Sequence, residues 1–305
     1  MKRLVGLSTS SLQKLYGDRR ALEIAHEAGA DCVDFSVHTN NDYRTEGCVY
    51  ALGEEGVRRY YEELAEYAKS LGLTIAQTHG RLRGFRLDET ENRAVLENAR
   101  LDCIATRALG APVCVVHSVA TGLVGPQTPP ETFRDLNFEW FTSLLQYAKA
   151  YDVQIATETF GDSPKYGICD FFGNAEEFFN SYERIRAEEG NEKYFFCCVD
   201  TGHSNKAMRF DNPTPGDVIR MLGNRTVVLH LNDNDTLTDQ HKIPMTGCID
   251  WNDVFNALDE VGYSGVYNME LNLTHFGEDF AAEEAAFAVK VMRQMLRVRY
   301  GEENA

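Results

Sequence analysis

Glu158, in "ATETFGD", stands among small, β-prone and apolar residues where a predicted strand runs into a loop. An ionised carboxylate there is costly to desolvate unless it is paired or bound to a cation. Comparable residues recur along the chain. His79 ends "TIAQTH", His117 lies in "VCVVHS", Asp200 ends "YFFCCVD" with His203 just beyond it, and His230 lies in "TVVLHLN". Asp239 and His241 follow in "DQH", and Glu270 lies near the end of "GVYNMEL". Five of the eight histidines belong to this set, and each residue type in it is a common metal ligand. Several have ordinary explanations: Asp200 can cap a helix, Asp239 can stabilise a turn, and a lone strand-end histidine is often simply hydrogen-bonded. Glu158 and Glu270 do not, because glutamate neither caps well nor favours strands. Together Glu158, Asp200, His230 and Glu270 form an oxygen-rich shell suited to one divalent ion, Mn²⁺, Mg²⁺, Co²⁺ or Zn²⁺.

Such residues need elements to position them. Short apolar or alternating runs predict strands at 4–10, 32–37, 74–79, 113–118, 154–159, 194–200, 226–232 and 265–271. Amphipathic stretches predict helices at 55–72, 89–110, 131–151 and 281–300, and Gly29, Gly72 and Gly110 read as helix stops. Eight strands alternating with helices imply an α/β fold, a parallel eight-stranded (β/α)₈ TIM barrel, in which chemistry sits at the C-terminal strand ends. A doubly wound sheet would be expected to carry a Gly-rich phosphate loop after its first strand, and "STSSLQKLYGD" has none. No linker or break in composition divides the chain, so one domain over residues 1–305 is expected.

Composition narrows the function classes. With 43% hydrophobic and 25% charged residues the chain reads as an ordinary globular protein. Its formal net charge of −17 disfavours nucleic-acid binding, which depends on neutralising phosphates with Lys and Arg. The start "MKRLVGLSTS" reads as neither a signal peptide nor a membrane span. Eight cysteines without a C-x-x-C pair suggest a reducing, cytoplasmic setting without disulfides. The segments "NEKYFFCCV" and "CDFFGNAEEFF" can supply core or an interface in a homo-oligomer.

The chain resembles the xylose isomerase-like TIM barrel superfamily, in particular its sugar phosphate isomerase/epimerase branch. The carriers are "THG" (78–80), "ETF" (158–160), "DTGH" (200–203), "HLND" (230–233), "DQHKIPMTGCIDW" (239–251) and "GYSGVYNMEL" (262–271). The resemblance implies that Glu158, Asp200, His230 and Glu270 match the metal ligands of ketose 3-epimerases, and that His203 matches a histidine contacting substrate or orienting a ligand. The superfamily also contains apurinic-site endonucleases with three zinc ions. Their ligand pattern is matched by His79, His117, Glu158, Asp200, His203, His230, Asp239, His241 and Glu270. Two departures bear on specificity: Asn232 stands where sugar-acting relatives often carry Lys, and Met245 replaces the first Gly of the usual "PGxG" turn.

The expected activity is isomerisation or epimerisation of a ketose or related polyol ketone. One of Glu158 and Glu270 would remove a proton next to a carbonyl and the other would return one, through an enediolate whose charge a divalent cation stabilises. His79, His117 and His203 would bind substrate, and Arg81 in "RLRGFR" is the candidate for a phosphate, although an unphosphorylated sugar or polyol is favoured. The alternatives are the trinuclear-zinc apurinic-site endonuclease, an inosose-type dehydratase and a non-catalytic sugar-binding barrel.

Overall fold

The computed structural model describes residues 2–39 and 41–304. Eight parallel strands form one sheet: β1 Val5–Ser8, β2 Cys32–Ser36, β3 Thr74–His79, β4 Val113–Val116, β5 Gln154–Glu158, β6 Phe195–Asp200, β7 Thr226–His230 and β8 Tyr267–Met269. They pair in chain order, and β8 returns to β1 with Val5 opposite Tyr267. The last gap, between β7 and β8, is bridged by Leu231 opposite Met269. The fold is the expected (β/α)₈ barrel. All eight predicted strands overlap observed ones, because barrel strands are covered on both faces and therefore read as near-continuous apolar runs.

Helices Gly53–Ser70, Glu89–Ala108, Pro130–Tyr151 and Ala281–Tyr300 occupy the four predicted segments. Asp88 starts the second by accepting the N–H groups of Thr90 and Glu91, and Pro130 occupies the first turn of the third. Gly29, Gly72 and Gly110 take φ of 84°, 80° and 74° just past helix ends, where a side chain would be strained. The main core lies between strands and helices. A smaller cluster of Val113, Val115, Ala156, Cys198 and Val228 fills one side of the barrel interior.

That interior layer explains the placement of the chemistry. Alternate strand residues share a face, so the position two beyond an inward residue also points inward, one layer nearer the mouth. His117 follows Val115, Glu158 follows Ala156, Asp200 follows Cys198 and His230 follows Val228 at this interval. Among the described residues no helix is long and apolar enough to cross a membrane. All eight cysteines are free thiols.

Candidate functional site

Glu158 sits at the centre of the mouth, fully buried. Its Oε2 lies 3.1 Å from His117 Nε2, 3.3 Å from His230 Nδ1 and 3.5 Å from His79 Nε2, while Oε1 lies 3.1 Å from His203 Nδ1. Glu270 completes the group, with Oε2 3.2 Å from His230 Nδ1 and Oε1 3.5 Å from His79 Nε2. Ligand atoms of His79, Glu158, His230 and Glu270 all fall within 4.8 Å of one another. Asp200 stands to one side of this group, within the same separation of Glu158 and His203, and again of His241 and Glu270. A further group, His203, Asp239 and His241, converges beside it. The structure therefore brings together nine of the ten residues singled out in the sequence.

Arg81 is the tenth, and it is not brought into the site. Its guanidinium donates to Asp102 at 2.7 and 2.9 Å and to the Asn41 carbonyl at 2.7 Å. The positive charge on the cavity rim comes instead from Lys14.

The histidines are oriented from behind. His230 Nε2 donates to Asp34 Oδ2 at 2.9 Å, His241 Nδ1 to the Glu270 carbonyl at 3.1 Å, and His79 Nδ1 to the Gly80 carbonyl at 3.3 Å. A carbonyl or carboxylate satisfies only an N–H, so the opposite nitrogen faces the site, where losing its proton would free a lone pair for a cation. His117 is held through its backbone, whose carbonyl accepts the Trp140 indole N–H at 3.0 Å. Asp200 does cap the following helix, its Oδ1 accepting the His203 N–H at 2.6 Å, while its Oδ2 accepts from Asn232 at 2.7 Å. The departure at Asn232 thus positions a carboxylate of the site.

Several contributors escaped the sequence reading. Asp34 Oδ2 accepts from Gln77 at 3.2 Å and Asn268 at 3.3 Å as well as from His230, tying four strands together beneath the site. A buried Asp in the middle of "CVDFSV" was the available signal. Asp233 folds the loop carrying "KIPMTGCIDW" by accepting from Met245 N, Ile249 N and Trp251 Nε1 at 3.0, 3.1 and 2.8 Å. A Cβ on Gly247 would stand 2.3 Å from Asp233 Oδ1, so that glycine is required. Met245 takes φ of 72°, a conformation a glycine would adopt without strain.

A cation fits this arrangement. Both carboxylate oxygens of Glu158, His117 Nε2 and His230 Nδ1 are buried without a well-formed hydrogen bond, although they face one another. Buried polar groups are rarely left this way unless something else is to be bound. The charges point the same direction. Burial pushes the Glu158 carboxyl up, but His230 and His117 outweigh it and hold it well below the usual carboxylate range. Burial pushes the His230 and His203 rings down, but Cys198 and Glu270 beside His230, and Asp200 and Asp239 beside His203, carry both well above an ordinary imidazole. His241 behaves similarly, its burial outweighed by Asp239 and Glu270, and reaches about 9.

These raised imidazoles hold protons near neutrality in the ion-free chain, so uptake of a cation must expel them. Zn²⁺ affinity is expected to weaken about tenfold per pH unit for each proton displaced as pH falls below about 9. Calorimetry in two buffers of different ionisation enthalpy measures the protons released. A pH-independent affinity between pH 6 and 8 would contradict the ligand assignment.

The cavity above the group measures about 310 Å³ and is lined by Glu270, His79, His117, His203, Asp239 and His241 together with Ser10, Lys14, His38 and Asn272. Glu158, Asp200 and His230 are absent from this lining and are fully buried. A larger groove of about 1100 Å³ runs between the helices Trp251–Glu260 and Ala281–Tyr300, away from these groups.

Comparison with known proteins agrees with the barrel. The Sinorhizobium fredii (strain NBRC 101917 / NGR234) protein y4fM is 23% identical over 282 residues, covering 85% of this chain and 83% of its own. A D-tagatose 3-epimerase-like protein superposes with a TM-score of 0.71 at 19% identity, covering 97% of both chains. An IolI protein with a bound zinc atom superposes with a TM-score of 0.72 at 18% identity, covering 97% of this chain and 99% of its own. L-ribulose 3-epimerase covers all of both chains with a TM-score of 0.68 at 16% identity. At these identities the structural likeness speaks to the fold. The family profile described as Xylose isomerase-like TIM barrel matches residues 22–295, most of the sequence, and the protein belongs to that family.

Proposed function

We propose that the protein is a divalent-metal-dependent isomerase or epimerase of a ketose or related polyol ketone. The observation that carries this reading is the convergence of Glu158 and Glu270 on His230 Nδ1, at 3.3 and 3.2 Å, beside a cavity of monosaccharide scale. Similarity to sugar epimerases and to a zinc-binding IolI protein supports it. Glu158, His230, Glu270 and His79 or Asp200 would hold the ion. When bound it would polarise a carbonyl and offset negative charge developing beside it.

The remaining work falls to the chain. Glu270 lines the cavity and is placed to take a proton from a carbon next to a carbonyl. Glu158, the second carboxylate, is ionised and lies behind the lining, so it would return a proton for inversion only after taking one from His203, whose Nδ1 lies 3.1 Å from its Oε1. His203 and His117, on the cavity wall, would donate to substrate oxygens. With Arg81 committed to Asp102, an unphosphorylated substrate is favoured.

The test is elemental analysis of protein purified without chelator, followed by a ketose panel in D₂O. About one divalent ion per chain and solvent exchange of a carbon-bound proton are expected. An ion-free protein with no exchange on any ketose would sink the proposal.

The convergence of His203, Asp239 and His241 favours a second reading, in which additional cations bind. Three zinc ions per chain, with cleavage of abasic DNA, would identify an apurinic-site endonuclease. The net charge of −17 argues against a polyanionic substrate.

A further inference from the structure

We infer that Lys206 is a positioning residue that aims Asp239 at His203 and His241, and that a cation held by those three depends on it. This rests on reading the three as ligands, not on sugar turnover. Lys206 lies on the helix Thr201–Ala207, three residues after His203, and its side chain is only 3% exposed. Burying an ammonium is costly unless its charge is met by partners. One partner is Asp162, whose Oδ1 lies 2.7 Å from Nζ. Asp162 belongs to a short antiparallel ribbon, Asp162–Ser163 with Ile168–Cys169, and its other oxygen is already paired with Arg209.

One carboxylate shared between two cations leaves positive charge uncompensated. Asp239 completes the balance: its Oδ1 lies 3.5 Å from Lys206 Nζ, while its Oδ2 faces His241 Nε2 at 3.3 Å and His203 Nε2 at 3.5 Å. The two oxygens are thus divided, one toward the ammonium and one toward the imidazoles. That division matters because Asp239 is carried by the loop after β7 and is 39% exposed, so its rotamer is not set by packing alone. Lys206 comes from a helix and is anchored by the ribbon. It supplies the rigid reference that the loop lacks, and it presents a single oxygen of Asp239 to the site.

The experiment uses the full chain, stripped of metal and titrated with Zn²⁺ by calorimetry with a competing chromophoric chelator. The wild type is expected to show a tighter ion, assigned to the Glu158 and Glu270 group, and a weaker one. Lys206→Met should weaken the second about 10–100-fold, as loss of an outer partner does at other metal sites, with the first unchanged within about threefold. Lys206→Arg should restore most of the loss. Asp162→Asn, which removes the anchor but keeps the ammonium, should reproduce the selective weakening even if the methionine variant fails to fold. An unchanged second affinity in Asp162→Asn or Lys206→Met, equal weakening of both ions, or a wild type that binds one ion only would each overturn the inference. Zinc uptake is read without substrate, so failure of the sugar reading would leave this result standing.

Discussion

Glu158→Gln is expected to lower exchange of the substrate's carbon-bound proton by about 10²–10⁴-fold, with loss of bound metal. The exchange follows from chemistry, since an amide cannot accept and return a proton. The metal loss follows from geometry. Four imidazoles, those of His79, His117, His203 and His230, lie within 3.5 Å of this one carboxylate. Glutamine removes their common counter-charge and puts an N–H₂ group, which can neither accept a proton nor ligate a cation, where a carboxylate oxygen stood. Glu270→Gln should also stop exchange while retaining more of the metal, because Glu270 is partly exposed at the cavity and contacts fewer imidazoles. Measuring bound metal and deuterium incorporation on the same samples separates the two roles. Exchange within tenfold of wild type in metal-loaded Glu158→Gln would remove Glu158 from the acid/base pair.

Asp102→Ala is expected to cost about 3–5 kcal/mol of stability, the range for breaking a buried ion pair from one side. Asp102 is fully buried on the helix Glu89–Ala108 and accepts two hydrogen bonds from Arg81 and one, at 2.6 Å, from Tyr50. Its loss leaves a guanidinium buried just after β3, next to His79. The double variant Arg81→Met, Asp102→Leu should recover much of the stability, because well-packed apolar groups of similar size replace both charges. Urea unfolding of the three proteins checks this. A cost below about 1 kcal/mol for Asp102→Ala would show that Arg81 finds water or another acceptor, and would reopen its assignment as a substrate-binding group.

The site was legible to the extent that its residues lie at strand ends. His79, Glu158, Asp200, His230 and Glu270 interrupt or terminate apolar runs, where an acid or imidazole conflicts with its surroundings. Asp239 and His241 stood out only as ligand types in a loop, where no periodicity sets an acidic residue apart and a turn role for Asp239 was as good an explanation. Arg81 was read as the candidate for a phosphate because "RLRGFR" is a compact basic cluster just after the third predicted strand. Its partner, Asp102, is 21 residues away on a helix and carries no local sign of contact.

What the sequence by itself determined is the barrel and the ring of candidate ligands. Strand periodicity of two and the alternation of strands with helices are local properties, and together they place every strand-end residue at one mouth. Only the tertiary structure decided which atoms face the site. Asp34 supports His230 across 196 residues, Asn232 fixes Asp200, and Lys206 lies between Asp162 and Asp239. Each pairing depends on how the strands are staggered around the barrel and on how the loops after β5 and β7 pack against the helix after β6. Those are distances between segments remote in the chain, set by closure of the barrel as a whole and encoded in no single stretch of residues.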